Sequence, residues 1–222
     1  MGMIHSSAGR LVMMSGMKSK FWLLLATAVI LGSAWGALAQ TPAVAADGPQ
    51  FTSANELVRP ENFREWIFVS SGVGMSYGPN TPAADRPPSF TNVYVNPSSY
   101  RSFMKTGRWP DKTILILEIR GSASEESINK AGRFQAGLLA IEALVKDEAR
   151  LPGGWGFFDF GRASALRDTV KALPQTASCY SCHLKNAAVE RTFVQFYPTL
   201  LDVARRMGTL NPSFEQPSSE RR

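Results

Sequence analysis

The sequence predicts one α+β domain with a strand-rich body and a few helices. Three β-strands are predicted. They are indicated by the alternating residues over 90–97, the apolar run over 113–120 and the aromatic run over 155–160. Apolar residues at helical spacing indicate helices over 97–106 and 197–207. These patterns favour a mixed fold in which strands form the larger part.

The first 39 residues are predicted to be a secretory signal peptide. Two lysines precede the apolar run over 21–39, which closes with Ala-Leu-Ala, a cleavage signal that makes Gln40 the mature N-terminus. A second candidate cleavage site follows Ala46. We therefore expect export to the periplasm, with an uncleaved anchor in the inner membrane as the alternative.

The mature chain is only mildly basic. The 222 residues include 24 basic and 18 acidic ones, and removal of residues 1–39 takes three basic residues and no acid, which leaves 183 residues with a net charge of +3. The chain has no basic run and no stripe of basic and aromatic residues, which argues against nucleic acid as a partner. The remaining length is sufficient for one domain with a sizeable core.

The start of the mature chain shows no hydrophobic periodicity. Residues 40–53 are rich in Ala, Pro, Gly and Thr and are predicted to be a flexible leader, so the folded domain is assigned to residues 54–207. A proline followed by acidic residues predicts a short helix over 60–66. The many Gly and Pro residues over 72–89 predict a long loop.

The middle of the domain alternates between clear and ambiguous segments. The strand over 90–97 ends at an Asn-Pro turn, and Asn96 is a candidate cap for the helix over 97–106. Residues 127–150 have the Ala, Leu, Glu and Lys content of a helix. The apolar residues at alternate positions over 134–140 also fit a strand. The aromatic strand over 155–160 follows a turn rich in glycine.

The strand over 113–120 has the strongest pattern in the chain. Period-two geometry places Leu115, Leu117 and Ile119 on one wholly apolar face and Glu118 on the other. Packing into a core is sufficient to explain such a face.

Two helices and a tail are predicted after the aromatic strand. Residues 164–172 have a helical pattern that stops before Pro174, with Asp168 on a solvated face. Residues 197–207 predict an amphipathic helix. Its buried side is predicted to consist of Leu200, Leu201, Ala204 and Met207. The residues over 208–222 are dominated by Pro, Ser and charge and are predicted to be disordered.

The stretch Cys179-Tyr180-Ser181-Cys182-His183 carries the clearest chemistry. Two thiols at this spacing match the two vinyl groups at one porphyrin edge, and the imidazole that follows can ligate the iron. The pattern predicts one covalent haem c per chain, attached through Cys179 and Cys182, with His183 as the proximal iron ligand. A thioredoxin-type redox pair lies at the start of a helix that follows a strand in a cytosolic βαβ unit, and the sequence does not resemble that arrangement. A zinc site would need a fourth ligand, and a structural disulfide would leave His183 unexplained.

The sixth position of this iron has few candidate ligands. His5 is removed with the signal peptide, so His183 is the only histidine of the mature chain. The position is then filled by a methionine, a lysine, water, a small exogenous ligand or nothing. Met75 and Met104 are the candidate methionines, although the helical spacing of Met104 favours packing.

Several phrases of the sequence, taken in order, resemble the cytochrome P-460 family, which includes the cytochromes c′-beta. The phrases are Asn62-Phe63-Arg64-Glu65-Trp66, Val93-Tyr94-Val95-Asn96-Pro97, Lys105-Thr106-Gly107-Arg108-Trp109-Pro110-Asp111, Val145-Lys146-Asp147, Gly154-Trp155-Gly156-Phe157-Phe158, the haem motif and Phe193-Val194-Gln195-Phe196-Tyr197-Pro198. The resemblance implies a predominantly antiparallel β-sheet with a few helices, a homodimer, and a five-coordinate haem c. It also implies a strand over Phe134–Lys146, against the helical propensity of that segment.

One departure from the family pattern is informative. Members that oxidise hydroxylamine carry a lysine, covalently bonded to the porphyrin, immediately before a strand glutamate, and here Leu117 precedes Glu118. Lys112 lies five residues back, on the opposite face of the strand by alternation. We therefore expect no cross-link. The resemblance then implies a distal haem face formed by Leu115, Leu117 and Ile119, similar to the apolar pocket of cytochrome c′-beta.

The resemblance implies that the open haem face binds a small gaseous or nitrogen-oxide ligand such as nitric oxide. The alternative is a hydroxylamine or nitric oxide oxidoreductase that passes electrons to a partner cytochrome. That chemistry needs a distal acid or base, whereas Glu118 is predicted to face away and Thr91 stands where some catalytic relatives have arginine. Simple electron transfer, the third hypothesis, would favour a methionine as sixth ligand.

Overall fold

The computed structural model describes residues 47–77 and 87–215, so the predicted signal peptide lies outside the described residues. The strands are β1 (Leu57–Val58), β2 (Ile67–Val73), β3 (Phe90–Val95), β4 (Ile114–Ala123), β5 (Phe134–Lys146), β6 (Trp155–Arg162) and β7 (Thr169–Val170). The α-helices are α1 (Pro97–Thr106), α2 (Ser178–Asn186), α3 (Pro198–Met207) and α4 (Pro212–Glu215). Short 3₁₀ turns lie at Phe63–Glu65, Pro152–Gly154, Ala163–Ala165 and Val194–Phe196.

The strands form two antiparallel sheets. The larger sheet has the order β2-β3-β4-β5-β6, so each strand pairs with its neighbour in the chain. β1 and β7 form a two-stranded sheet. The predicted α+β class with a predominantly antiparallel sheet is confirmed. Within the described part of the chain, no helix combines the length and the apolar character needed to span a membrane.

The larger sheet is packed on both faces, because alternate residues of β4 enter different hydrophobic clusters. Leu115 belongs to a cluster that contains Phe103 of α1 and Leu200 of α3. Ile114 and Ile116 belong to a second cluster on the other face. The alternation predicted for this strand therefore separates two cores.

β5 decides between two predictions for the same segment. The helix favoured by propensity is wrong, and the strand implied by the family resemblance is confirmed at Phe134–Lys146. β5 pairs with β4 on one side and with β6 on the other. Its buried residues include Ala140, Ile141 and Ala143. Pairing on both edges and this burial outweigh a helical preference of a few tenths of a kcal/mol per residue.

The helix predicted over 164–172 is wrong. The chain makes a single 3₁₀ turn at Ala163–Ala165 and then enters β7, which pairs with β1. Asp168 forms an ion pair with Arg59 at 2.7 Å instead of lying mid-helix. Local propensity missed this arrangement because Arg59 lies 109 positions earlier in the chain.

The segment that enters the larger sheet is also more extended than predicted. The short helix expected over 60–66 is reduced to the 3₁₀ turn Phe63–Glu65, because β2 begins at Ile67. β2 extends to Val73, so the predicted loop over 72–89 begins later. Residues 78–86 of that loop lie outside the described residues.

α1 lies where the sequence predicts it, and Asn96 occupies its N-cap position, but the Asn96 side chain makes no capping hydrogen bond to the helix backbone. The Asn96 side-chain oxygen accepts a hydrogen bond from the backbone N of Ile114 at 3.0 Å. The carboxylate of Asp47 instead accepts a hydrogen bond from the backbone N of Ser98, at the start of α1, at 2.6 Å. Asp47, a residue of the predicted leader, is thus bonded to the domain.

α3 is amphipathic as predicted, with a slightly different buried face. Its buried residues are Leu200, Val203 and Ala204. Met207, predicted to be buried, is 47 % exposed because the helix ends there. The described residues after α3 differ from the predicted disordered tail. Thr209 is buried, and its hydroxyl donates a hydrogen bond to the carbonyl of Gly107 at 2.7 Å.

Candidate functional site

A cavity of about 660 Å³ lies between one face of the larger sheet and the chain segment that contains α2. The sheet contributes Leu115, Leu117 and Glu142, and the facing segment contributes both cysteines and His183 of the predicted haem motif. The volume falls within the range of ordinary cofactor sites. The motif and the apolar face of β4 therefore meet around the same space.

α2 carries the whole haem motif. Because an α-helix turns once every 3.6 residues, Cys179 and Cys182 lie about one turn apart on the same side of α2, and both line the cavity. Tyr180 packs edge-on against Phe157 of β6, with 4.7 Å between ring centroids. Its hydroxyl donates a hydrogen bond to the carbonyl of Leu173 at 3.2 Å. These contacts hold α2 against the sheet with both thiols at the cavity.

His183 has a defined orientation and tautomer. Its Nδ1 lies 2.6 Å from the carbonyl oxygen of Arg191. Because a carbonyl can only accept, Nδ1 carries the proton and Nε2 is left as the nitrogen able to ligate a metal. The ring packs against Phe193 and Phe157, at centroid distances of 4.0 and 4.7 Å. Burial lowers the pKa of His183, which favours the neutral imidazole that a metal requires.

Strand register builds the opposite wall of the cavity. Val93, Leu117 and Glu142 are direct neighbours across β3, β4 and β5, and all three line the cavity. Leu115, two residues from Leu117 on the same face, lines it as well. Ile119 is not among the described residues that line the cavity. The register between β4 and β5 shifts immediately after Ile119. The predicted apolar face reaches the cavity at Leu115 and Leu117.

Glu142 is a cavity residue that sequence reasoning missed. Burial raises the pKa of its carboxyl, the negative charge of Asp159 raises it further, and Arg162 acts in the opposite direction. The side chain is nevertheless accessible through the cavity. The alternation of β5 could have indicated Glu142, because residues two positions apart on a strand share a face and Leu144 also lines the cavity.

Glu118 lies on the other face of β4, as its alternation predicts. It is 2 % exposed and accepts hydrogen bonds from Arg64 Nη2 at 2.6 Å, Arg120 Nη1 at 3.1 Å and Asn92 Nδ2 at 3.1 Å. Burial alone would raise its pKa, but the hydrogen bonds from Asn92 and Arg64 and the charges of Arg64 and Arg120 outweigh it and lower the pKa. This carboxylate holds the sheet together and does not serve the cavity.

The other residues considered as iron or porphyrin ligands occupy different places. Met75 lines the cavity, and its sulfur accepts a hydrogen bond from the Tyr77 hydroxyl at 3.6 Å. Met104 packs against the hydrophobic cluster of α1, so the packing interpretation is confirmed for it. Lys112 forms an ion pair with Asp147 at 2.5 Å. Of these candidates, Met75 alone reaches the cavity.

The donor set and the shape of the cavity fit a haem held by α2. Cys179 and Cys182 present two thiols on one side of the helix, and His183 presents an unprotonated Nε2 beside them. Leu115 and Leu117 provide an apolar wall on the far side of the space. Sulfur, imidazole and an apolar enclosure are the groups that a covalently attached haem requires.

Comparison with known proteins agrees with this geometry. The family model for Cytochrome P460 matches residues 60–194, which is more than half of the 222-residue chain. The matched range contains β2 to β6 and the haem motif. No curated protein matches the chain. The chain belongs to the cytochrome P460 family, which implies a haem cofactor.

Proposed function

We propose that this protein is an exported monohaem cytochrome whose five-coordinate haem c binds a small gaseous ligand such as nitric oxide. Cys179 and Cys182 would hold the porphyrin through thioether bonds, and His183 Nε2 would ligate the iron. The observation that carries the proposal is the hydrogen bond of 2.6 Å between His183 Nδ1 and the carbonyl of Arg191, which leaves Nε2 free to ligate the metal at a largely apolar cavity. When bound, the haem supplies the iron that takes the ligand.

The aliphatic part of the sheet wall favours a neutral ligand. Val93, Leu115 and Leu117 offer no hydrogen-bonding side chain to a bound molecule. An ion held against these three side chains loses hydration without gaining partners from them, whereas a neutral diatomic molecule loses little. Leu117 also stands where a cross-linking lysine would be needed, and Lys112 is engaged by Asp147 at 2.5 Å.

The visible absorption spectrum of the purified mature protein tests this proposal. We expect a high-spin haem c spectrum in the ferric and dithionite-reduced states that changes on addition of nitric oxide. A strongly red-shifted ferrous Soret band would indicate a cross-linked porphyrin and would contradict the proposed role of Leu117. Covalent attachment is tested separately, since acidic acetone should leave the haem on the wild-type protein and extract it from a Cys179→Ala, Cys182→Ala double variant.

The second candidate function is oxidation of hydroxylamine or nitric oxide. Glu142 favours it, because a carboxyl with a raised pKa at the cavity is suited to accept a proton from a bound substrate. Electrons would then leave through a partner cytochrome. Steady-state oxidation of hydroxylamine with a dye acceptor distinguishes this function from ligand binding alone.

Export and self-association complete the proposal. Mass spectrometry of the secreted protein should give a mature chain that begins at Gln40, and an intact N-terminus in the membrane fraction would favour the anchored alternative. A homodimer is supported by β2, an edge strand of the larger sheet on which Phe68 and Val73 are 52 % and 54 % exposed. Sedimentation equilibrium should give twice the chain mass, and a monomer would contradict the dimer.

A further inference from the structure

The carbonyl group that orients His183 belongs to a tight turn outside α2. Val189 and Thr192 form an isolated antiparallel bridge, and the backbone N of Thr192 donates a hydrogen bond to the Val189 carbonyl at 2.8 Å. Arg191 lies inside this turn, and its carbonyl is the acceptor 2.6 Å from His183 Nδ1. The length and angle of that hydrogen bond therefore depend on what holds residues 189–192 in place.

Glu190 is an unexpected residue for its backbone conformation. Its φ of +50° lies in the left-handed region, where glycine is the residue with no steric cost. The side chain, however, is engaged on both oxygens. Oε2 accepts a hydrogen bond from Lys146 Nζ at 3.0 Å, and Oε1 accepts one from the backbone N of Trp109 at 3.3 Å. The contacts of the carboxylate, and not the ease of the turn, account for a glutamate here.

Trp109 and Lys146 hold the side chains of the turn, and Asn211 bonds the backbone N and carbonyl of Glu190. The buried indole Nε1 of Trp109 donates a hydrogen bond to the hydroxyl of Thr192 at 2.8 Å. Lys146 Nζ also donates to the carbonyl of Trp109 at 2.8 Å, so the two residues are joined to each other as well as to the turn. Lys146 and Glu190 have side chains that are only 14 % and 17 % exposed, which shields their ion pair from solvent. The turn is therefore fixed at Glu190 and Thr192, on either side of Arg191.

Trp109 and Lys146 have no other role in the site described above. Each belongs to a phrase that carries the family resemblance, and neither is among the described residues that line the cavity. Trp109 follows α1 and Lys146 ends β5, so the two phrases are far apart in the chain. The structure brings both of them to the turn that contains Arg191.

We infer that Trp109, Lys146 and Glu190 are positioning residues, which hold the Arg191 carbonyl against His183 and thereby set how strongly His183 donates electrons to the iron. This inference rests on the proposed haem site. A stronger hydrogen bond from Nδ1–H gives the imidazole more anionic character, which strengthens its bond to iron and stabilises the ferric state. Loosening the turn weakens that bond and raises the reduction potential.

The test compares Glu190→Gln with Glu148→Gln in the haem-loaded protein. Glu148 is a matched control, because its carboxylate lies 3.6 Å from the same Lys146 Nζ but is 65 % exposed and, among the described residues, forms no side-chain hydrogen bond or ion pair with residues 189–192. We expect Glu190→Gln to lower the iron–histidine stretching frequency in the ferrous resonance Raman spectrum and to raise the reduction potential. Glu148→Gln should leave the frequency unchanged and move the potential less.

Glu190→Gly is the second variant, because glycine adopts the left-handed φ without backbone strain while the contacts of the carboxylate are removed. It should shift the frequency in the same direction. The inference would be overturned if both Glu190 variants had the wild-type iron–histidine stretching frequency and if Glu190→Gln and Glu148→Gln had equal reduction potentials. Failure of the wild-type protein to retain haem would overturn the proposed function instead. If the wild-type iron proves six-coordinate, the five-coordinate proposal fails, and the difference in potential between the two glutamine variants still tests the positioning role.

Discussion

Leu117 and Glu142 are direct neighbours across β4 and β5, and both line the cavity. The pair places an aliphatic side chain beside a carboxyl whose pKa is raised by burial. The aliphatic side chain suits the binding of a neutral gas, and the carboxyl suits proton transfer. Substituting one member of the pair at a time therefore separates the two candidate functions.

Glu142→Gln tests the oxidoreductase candidate. If Glu142 accepts a proton from the substrate, the variant should lose about 100-fold or more in hydroxylamine oxidation, because general base catalysis contributes about that much. Wild-type activity should rise with pH through the pKa of Glu142, which burial places above its usual range, and this rise should be absent in the variant. Nitric oxide binding should be retained.

Glu61→Gln is the control for that experiment, since Glu61 is exposed and lies outside the cavity. Stopped-flow measurement of dye reduction over a range of pH gives the comparison. Equal rates in the wild-type protein, Glu142→Gln and Glu61→Gln would rule out Glu142 as the base.

Leu117→Ala tests the gas-binding candidate. Truncation at the cavity wall should open space for the ligand and increase the association rate of nitric oxide with the ferrous protein. Ile119→Ala is a matched control on the same strand, because Ile119 is not among the described residues that line the cavity. Flash photolysis measures both rates, and equal changes in the two variants would argue against a wall role for Leu117.

Met75→Ala and Met104→Ala test the coordination number of the iron. A five-coordinate haem predicts unchanged ferric and ferrous spectra in both variants. Met104→Ala should still lower the free energy of unfolding by about 2 kcal/mol, the low end for buried methionine, because Met104 is partly buried in a core cluster. A low-spin spectrum that becomes high-spin only in Met75→Ala would establish methionine ligation and favour simple electron transfer.

Glu118→Gln tests the ion-pair network on the other face of β4. Because the pKa of Glu118 is lowered in the folded protein, its ionised form stabilises the fold at neutral pH, and this contribution is lost as the pH falls through the folded-state pKa. The variant should be less stable by about 2 kcal/mol at pH 7, and the difference from wild type should shrink in acid.

Urea unfolding near neutral pH and in acid measures this difference. Glu125→Gln is the control, because Glu125 is exposed. A destabilisation by Glu118→Gln that is independent of pH would show that packing, and not the charge of Glu118, makes the contribution.

The sequence alone determined the features that depend on residues close together in the chain. Cys179, Cys182 and His183 lie within five residues, so their spacing alone predicts two thiols and an imidazole for one haem, although the helix α2 that presents them was not predicted. Period-two alternation likewise assigned Leu117 and Glu118 to opposite faces of β4, and the structure confirms that separation. These relationships need no information about distant segments.

Only the tertiary structure decided the features that depend on pairing between distant segments. Glu142 reaches the cavity because β5 pairs with β4 in a register that no local pattern contains. The carbonyl of Arg191 orients His183 from a turn that Trp109 and Lys146 contact. Trp109 lies 83 positions before Thr192, and Lys146 lies 44 positions before Glu190. Local propensities amount to tenths of a kcal/mol per residue. Strand pairing, burial and buried hydrogen bonds contribute more, and they exist only once the chain is folded.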